Sequence, residues 1–513
     1  MEEIAEMISL IFALLSLSLS TYQIKDLDRT YIIGDSTEVV EQATLQVKLI
    51  KAEPDEAFIY GLNAALLSKL GLAKAFYGKD TSGPSLSVDM FNEGYNKTGV
   101  KVHLINGRSD SWEGKLPEDF YLCIRLVYPT GSEILNVVST PTLDEETLSA
   151  ARGRSTINQA NHLSTLKFTT CVELPSFYPC SKQKTTFEFT SERTRFSSLD
   201  TDYRGYKVSS TESVTKVYID QILYGPEHTC TLIDLVYYSN AYQLAADVTR
   251  TVMINGPNIK TRTGMRGFAT IQDDFIVRNI NPQSGDKHFS NKNMLMRQHY
   301  DMTVPAFLVV ELPCKTSLDS ILYYDRIGKI DTIEVDKESM TRLAQAFGGQ
   351  SKTIVRIKPR FALAGNSQTK FTLKYTCNNL ISLEKSDANV AHKRSKLRTY
   401  GLSLPAGPTL LYAYYDSFSL CVYPPSGAAD IQVHVPFTGS VSNRSYSGTL
   451  DVQPRNGGCV STGLFTNEAV SAPFTAIWSY DTKAMLWEKL RSLSINFFAI
   501  MCTLSLLRII VGK

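Results

Sequence analysis

Several local patterns in the 513 residues have the residue types for chemistry, and each lacks a part that its chemistry needs. Ser181-Lys182-Gln183-Lys184 has the Ser-x-x-Lys spacing that sets a serine nucleophile beside a lysine, yet the companion motifs are missing and the segment sits beside a strand. Gly348-Gly349-Gln350-Ser351-Lys352-Thr353 imitates the end of a phosphate loop. The glycine directly before the lysine is absent and no helix-forming run follows, so no nest of backbone amides can be argued. There is no Gly-x-Ser-x-Gly elbow. The seven histidines, His103, His162, His228, His288, His299, His392 and His434, include no pair four apart, the spacing that sets two imidazoles on one helical face for zinc. The basic run from His392 to Arg398 reads as a solvated loop. No catalytic, metal-ligating or cofactor-binding residue is assigned, and catalysis assembled from distant residues lies beyond pattern reading.

The elements that would position any site read as strands. Apolar residues alternate at Val100, Val102 and Leu104; Phe187 and Phe189; Val355 and Ile357; Phe371, Leu373 and Tyr375; and Ile431, Val433 and Val435. Period-two burial of this kind predicts half-buried strands. Turn punctuation at Ser82-Gly83-Pro84, Pro129-Thr130-Gly131, Asn255-Gly256-Pro257 and Pro424-Pro425-Ser426-Gly427 suits antiparallel connections. The window Thr303–Leu312 alternates like a core strand. Helical period is confined to short candidates at Leu62–Leu72 and Glu338–Phe347. The expected fold class is mainly β, with sandwich-like domains.

Length and composition bound the rest. A chain of 513 residues exceeds what one hydrophobic core spans, so at least two folded units are expected. Lys+Arg 53 against Asp+Glu 51, with 20% charged residues, excludes a nucleic-acid footprint and an acidic solvating tail. Arg29-Thr30-Tyr31-Ile32-Ile33-Gly34 returns as Arg250-Thr251-Val252-Met253-Ile254-Asn255-Gly256. That spacing predicts two related β-domains in tandem, at 21–244 and 245–486.

Both ends read as membrane-directed. Ile8–Leu19 is an apolar and hydroxyl run followed by small residues, which predicts a signal peptide over 1–20 despite acidic Glu2, Glu3 and Glu6 before it; a buried amphipathic helix is the alternative. Leu493–Val511 is apolar except for Ser, Thr, Asn496 and Arg508, and as a helix it would cross ~28 Å. Trp478 and Trp487 are expected to form an interface belt before that transmembrane helix. An amphipathic helix packed on the body is the alternative. The signal sets the orientation, with the body lumenal and 512–513 a cytosolic stub. On a helical wheel Ser492, Asn496 and Thr503 form a polar stripe, which predicts an intramembrane partner contact, although Ser and Thr can also bond their own backbone. Eight cysteines then lie in the oxidising lumen, an even number that permits full pairing. Cys171 and Cys180 are near enough to close a small disulfide loop, with the connectivity left open. Asn96 and Asn443 head two candidate glycosylation sequons.

Several stretches resemble the ribophorin I family. They are Ser176-Phe177-Tyr178-Pro179 with Lys182–Phe187, Val248–Val252, Tyr323–Ile330, Ile357–Gly365 with the strand to Tyr375, and Tyr480–Leu486. The Tyr-Asp-x-Ile-Gly and Pro-Arg-Phe-x-Leu-x-Gly pieces are the most specific. The resemblance is thin across 78–117 and 388–470, which makes this a distant member. It implies a non-catalytic accessory subunit of the endoplasmic-reticulum oligosaccharyltransferase, which transfers a lipid-linked oligosaccharide to Asn in Asn-x-Ser/Thr. It also implies a single-pass type I membrane topology. The implied partners are a multi-spanning catalytic subunit, other complex subunits, membrane lipid and the nascent polypeptide; no nucleic acid and no cofactor are expected. Some relatives carry a cytosolic helical domain after the span, for which only Gly512 and Lys513 are available here. Rival readings are a type I surface receptor, adhesin or fusogen with tandem β-domains, and a lumenal glycosidase, which needs two carboxylates ~5–10 Å apart in a cleft.

Overall fold

The computed structural model describes residues 21–34, 38–50, 57–93, 97–104, 117–129, 164–190, 194–200, 206–211, 214–224, 230, 232–239, 244–258, 266–280, 305, 307–314, 316, 320–330, 333–335, 353–361, 363, 367–378, 381–383, 398–425, 427–439, 444–453, 456–480, 490, 494, 497–498 and 501–502. These residues form five sheets, of ten, three, six, four and five strands, and include two one-turn helices, Ala64–Ser68 and Asn467–Ser471, with further helical positions after 489. The expectation of a mainly β chain holds. The alternating segments become strands with alternate burial, as in Leu308–Leu312 and Gln368–Asn378. Only the middle of Leu62–Leu72 is helical, where Asn63 caps the turn by accepting from Ala65 N; Glu338–Phe347 lies outside the described residues.

The returning Arg-Thr segment marks a repeated topology. Tyr22–Ile33 pairs antiparallel with Glu38–Leu49 on one side and parallel with Cys180–Phe189 on the other, and Glu38–Leu49 pairs antiparallel with Asp119–Pro129. Leu244–Asn258 repeats this with Arg266–Asn279, Ala413–Tyr423 and Gln368–Asn378 in the same roles. Two of the strand pairs are parallel, which turn punctuation suited to antiparallel connections does not indicate. In each, the partner strand returns after a long excursion through other sheets, and local turn residues do not encode such a crossover. One cluster of buried apolar residues runs from Tyr22 to Tyr237 and a second from Leu244 to Trp478, with Leu72 and Val127 joining the second.

The two arginines of the repeat are wholly buried and sit at the middle of their sheets. Arg29 Nε donates to Glu41 Oε1 at 3.0 Å, and its Nη1 donates to the carbonyls of Cys171 and Val172 at 3.2 and 3.1 Å. Tyr60 and Tyr128 donate to the two Glu41 oxygens at 2.6 and 2.8 Å. Arg250 forms a two-pronged pair with Asp273, at 2.7 and 2.8 Å, while Nη1 donates to Pro405 O at 3.0 Å and Tyr375 donates to Asp273 at 2.8 Å. Each arginine therefore ties its large sheet to the end of a strand in a smaller one. Desolvating a charge is costly unless every polar atom is partnered, and here the carboxylates and hydroxyls supply those partners.

Trp478 corrects one expectation. It lies in the Pro473–Tyr480 strand, 1% exposed and stacked on Tyr400, so it belongs to a sheet core instead of a membrane interface belt. An aromatic residue on a buried strand face and one in an interface belt look alike in sequence; sheet pairing separates them. Trp487 lies outside the described residues.

Removing one partner of a buried pair strands the other charge. Arg250→Met is expected to destabilise the chain by about 3–5 kcal/mol in denaturant unfolding, and Arg250→Met combined with Asp273→Leu to recover most of that loss.

Candidate partner-binding surface

The predicted disulfide loop does not form. Cys171 bonds to Cys230, which precedes the strand antiparallel to its own, at a Cα–Cα distance of 5.5 Å. Cys180 opens a strand of the ten-stranded sheet while Cys171 ends one of the three-stranded sheet, so closeness in sequence does not align their side chains. The Cys180 thiol donates to Lys182 O. Cys314–Cys377 and Cys421–Cys459 are the other disulfides among the described residues, and Cys123 is a buried thiol, so pairing is not complete. Asn96, Asn443, Ser492, Asn496 and Thr503 lie outside the described residues. Among those described, no helix is long and apolar enough to cross a membrane. Most of Leu493–Val511 falls outside them; positions 494, 497, 498, 501 and 502 are helical and exposed.

The first resemblance segment proves structural. Ser176 Oγ donates to Tyr178 O and accepts from Tyr178 N, closing the turn, and the Tyr178 ring stacks on Phe58. Pro179 O then accepts from Ile24 N, which starts the parallel pairing. Gln183 is spent on Val172 O, Thr185 and Leu174 N.

Charge joins the two halves at a seam. Thr466 caps the Asn467–Ser471 helix, and its first-turn Glu468 reaches Lys74 at 3.0 Å and Arg125 at 2.9 Å. Burial pushes the Glu468 carboxyl up, but the two cations outweigh it and hold the group below the ordinary range. Asn467 N donates to Glu38 Oε1 at 2.7 Å. Arg444, the middle residue of the second sequon, is 1% exposed and donates to carbonyls of both halves: Leu70 and Gly71 of the first, Gly463 and Leu464 of the second. Its own carbonyl accepts from Met90 N, and Tyr446 N donates to Val88 O, so this segment lies along the edge of Ser85–Asn92.

The two most specific resemblance segments meet at a corner of the second half. Asp325 Oδ1 accepts from the amides of Ile327 and Gly328, which holds a tight turn after the Leu322–Asp325 strand. Gly328 has φ of 150°, beyond the ready reach of a side-chain residue. Asp325 Oδ2 accepts from Arg360 Nε at 2.7 Å, and Arg360 Nη2 donates to Oδ1 at 3.2 Å. The Arg360 guanidinium holds the carboxyl below its usual range, against a smaller upward push from burial. The ion pair leaves Ile327 68% and Phe361 64% exposed on neighbouring segments. Arg326, Lys329, Lys358 and Lys370 are also exposed there.

Beside the corner runs an open groove of about 390 Å3, lined by Asp247, Asp274, Tyr324, Asp325, Arg326 and Lys370 among others. Asp274 accepts from Thr372 and Gln272, while Asp247 accepts from Ser417 and pairs with Arg278. All three carboxylates are thus engaged by neighbours. Sequence reasoning missed this corner as a site; its signal was the co-occurrence of two family-like segments with polar and apolar residues interleaved.

Solved structures similar to the chain include an M1 zinc metallopeptidase from Deinococcus radiodurans, 10% identical with a TM-score of 0.22 over 54% of this chain and 52% of that one. Others are an aminopeptidase A from Legionella pneumophila (11%, 0.20, 54% and 27%) and the N-terminal domain of a Streptococcus gordonii adhesin (9%, 0.18, 87% and 92%). The chain spans about half the length of the Deinococcus metallopeptidases, and at these TM-scores the likenesses carry no weight for fold or activity. No curated protein matches the chain. Sheet-built halves joined at a charged seam, with an exposed apolar corner on the second, define a mainly β protein. The chain belongs to the ribophorin I family: the sequence model described as Ribophorin I matches residues 154–508, more than half of it. Membership points to a role as a subunit of oligosaccharyltransferase.

Two outcomes check this geometry. Peptide mapping without reductant is expected to recover Cys171 linked to Cys230, and no Cys171–Cys180 peptide. Burial pushes the Glu38 carboxyl up to about 7, opposed by the Asn467 amide. The folded state then binds that proton more tightly than the unfolded chain, so stability falls as pH climbs from the ordinary 4.5 towards 7 and the penalty persists above it. Glu38→Gln is expected to gain on the order of 1 kcal/mol over wild type at pH 8 and little at pH 4, measured by denaturant unfolding at both.

Proposed function

We propose that the chain is a non-catalytic accessory subunit of the endoplasmic-reticulum oligosaccharyltransferase, bracing the catalytic subunit while lipid-linked oligosaccharide passes to Asn in Asn-x-Ser/Thr. The observation that carries this reading is the family match over 154–508. Three disulfides within the body agree with an oxidising lumen. In this reading residues 1–20 are a signal peptide, 21–244 and 245–486 are two lumenal domains, and 493–511 are a single type I span. Asn96 and Asn443 are acceptor sites, and Ser492, Asn496 and Thr503 face a partner helix. The corner and the seam support the scaffolding role: one offers a surface to a neighbour, and the other holds that surface in a fixed place relative to the rest of the body.

Affinity purification of the full chain in gentle detergent is expected to bring a multi-spanning glycosyltransferase with it. Depletion of the chain is expected to leave a larger fraction of sequons unoccupied on secreted glycoproteins, read by mass spectrometry. Purification with no glycosyltransferase, and full occupancy after depletion, would overturn the reading in favour of a surface receptor.

A further inference from the structure

We propose that the Cys421–Cys459 disulfide is a thiol-exchange site, opening reversibly to an incoming thiolate while Cys171–Cys230 and Cys314–Cys377 act as fixed staples. The inference does not rest on the subunit role. Three features of the pair carry it.

The first is its place on the sheet. Cys421 and Cys459 are direct partners across the antiparallel strands Ala413–Tyr423 and Gly458–Phe465, with Cα atoms 4.1 Å apart. They share the solvent face. Ser419 and Ser461 lie two residues along on that face with hydroxyls 2.7 Å apart, and Tyr423 is exposed on the other side. The alternate residues Phe418, Leu420 and Val422 fill the core beneath. Cys459 is exposed and Cys421 half-buried. Each of the other two bonds has a wholly buried member, Cys171 or Cys377, whose partner is half-buried Cys230 or buried Cys314. Exchange needs a thiolate to reach a sulfur, so exposure separates this bond from the other two.

The second is the direction of attack. Gly458–Phe465 is the edge strand of the six-stranded sheet, so Cys459 is outermost and Cys421 lies one strand inward. A thiolate displaces one sulfur of a disulfide by approaching the other from its far side, and the far side of Cys459 is the rim of the sheet. The incoming sulfur bonds to Cys459 Sγ, the bond between the two cysteines breaks, and Cys421 leaves as a thiolate that takes a proton. Cys421 can then attack Cys459 again and expel the thiol. Alternatively a second thiol attacks the bound sulfur, leaving both cysteines reduced and the two thiols joined as a disulfide.

The third is what holds once the bond is open. Strand pairing extends from Tyr415 opposite Phe465 to Val422 opposite Gly458, on both sides of the cysteines. Arg444 also donates to the carbonyls of Gly463 and Leu464 towards the other end of the edge strand. The freed thiols therefore stay opposite each other, and closure is intramolecular.

The test treats the purified full chain, in detergent, with graded reduced glutathione, followed by alkylation and peptide mapping. Cys421 and Cys459 are expected to be alkylated at about a tenfold lower glutathione concentration than Cys171, Cys230, Cys314 and Cys377. Cys421→Ser should form a glutathione adduct on Cys459 several-fold faster than Cys459→Ser forms one on Cys421. Opening by glutathione alone assigns a small thiol as the partner; opening that requires thioredoxin assigns a protein dithiol. Simultaneous reduction of all three bonds, earlier loss of either buried one, or a bond that resists both reagents would overturn the exchange site. The order of reduction in the wild-type chain decides the matter if a serine variant fails to fold.

Discussion

A guanidinium at the centre of each large sheet is the constraint on which the architecture turns. Arg29 and Arg250 occupy the same position in a repeated topology, and each reaches out of its sheet to carbonyls at the end of a strand in another layer. An apolar residue there could bury more cheaply, and a buried ion pair is weak support for net stability. What the arrangement supplies is alignment. A strand slipped by one residue would turn the guanidinium out and leave Glu41 or Asp273 desolvated without a counter-charge, so one register is strongly preferred. The tyrosines around each pair satisfy the remaining oxygens, and their rings fill the core about them.

The seam between the halves applies the same logic with less burial. Glu468 collects two cations from the first half, and Arg444 collects carbonyls from both. Carbonyl dipoles substitute for a carboxylate around Arg444, which demands close placement of all the segments whose carbonyls accept from it. The corner formed by Asp325 and Arg360 is thereby held at a set position relative to the first half.

Strand content was legible because half-buried strands write a period-two pattern, and the repeat was legible because a buried arginine next to β-branched residues is an unusual local string. The partners of those arginines were not legible. Glu41 and Asp273 are ordinary acids until antiparallel register sets Asp273 opposite Arg250 and Glu41 opposite Tyr31, two residues along from Arg29, and register is a property of two strands at once. Cys171 and Cys180 misled for the same reason: nine residues of separation count for little when the chain changes sheets between them. Trp478 misled because apolarity alone does not distinguish a sheet interior from a bilayer boundary. Ile327 and Phe361 belong to segments that resemble a family, but an ion pair spanning 35 residues brought them together, and no local pattern encodes it.

The strap laid by residues 444–446 along Ser85–Asn92 also has a consequence for how the chain is born. Vectorial synthesis releases that edge strand first, and roughly 350 further residues must emerge before its cover exists, a wait of roughly 20–70 s at ribosomal speeds. Throughout that interval the nascent half displays unpaired backbone to the surrounding compartment, an invitation to mispairing that only a transient companion or a quick neighbouring strand can decline.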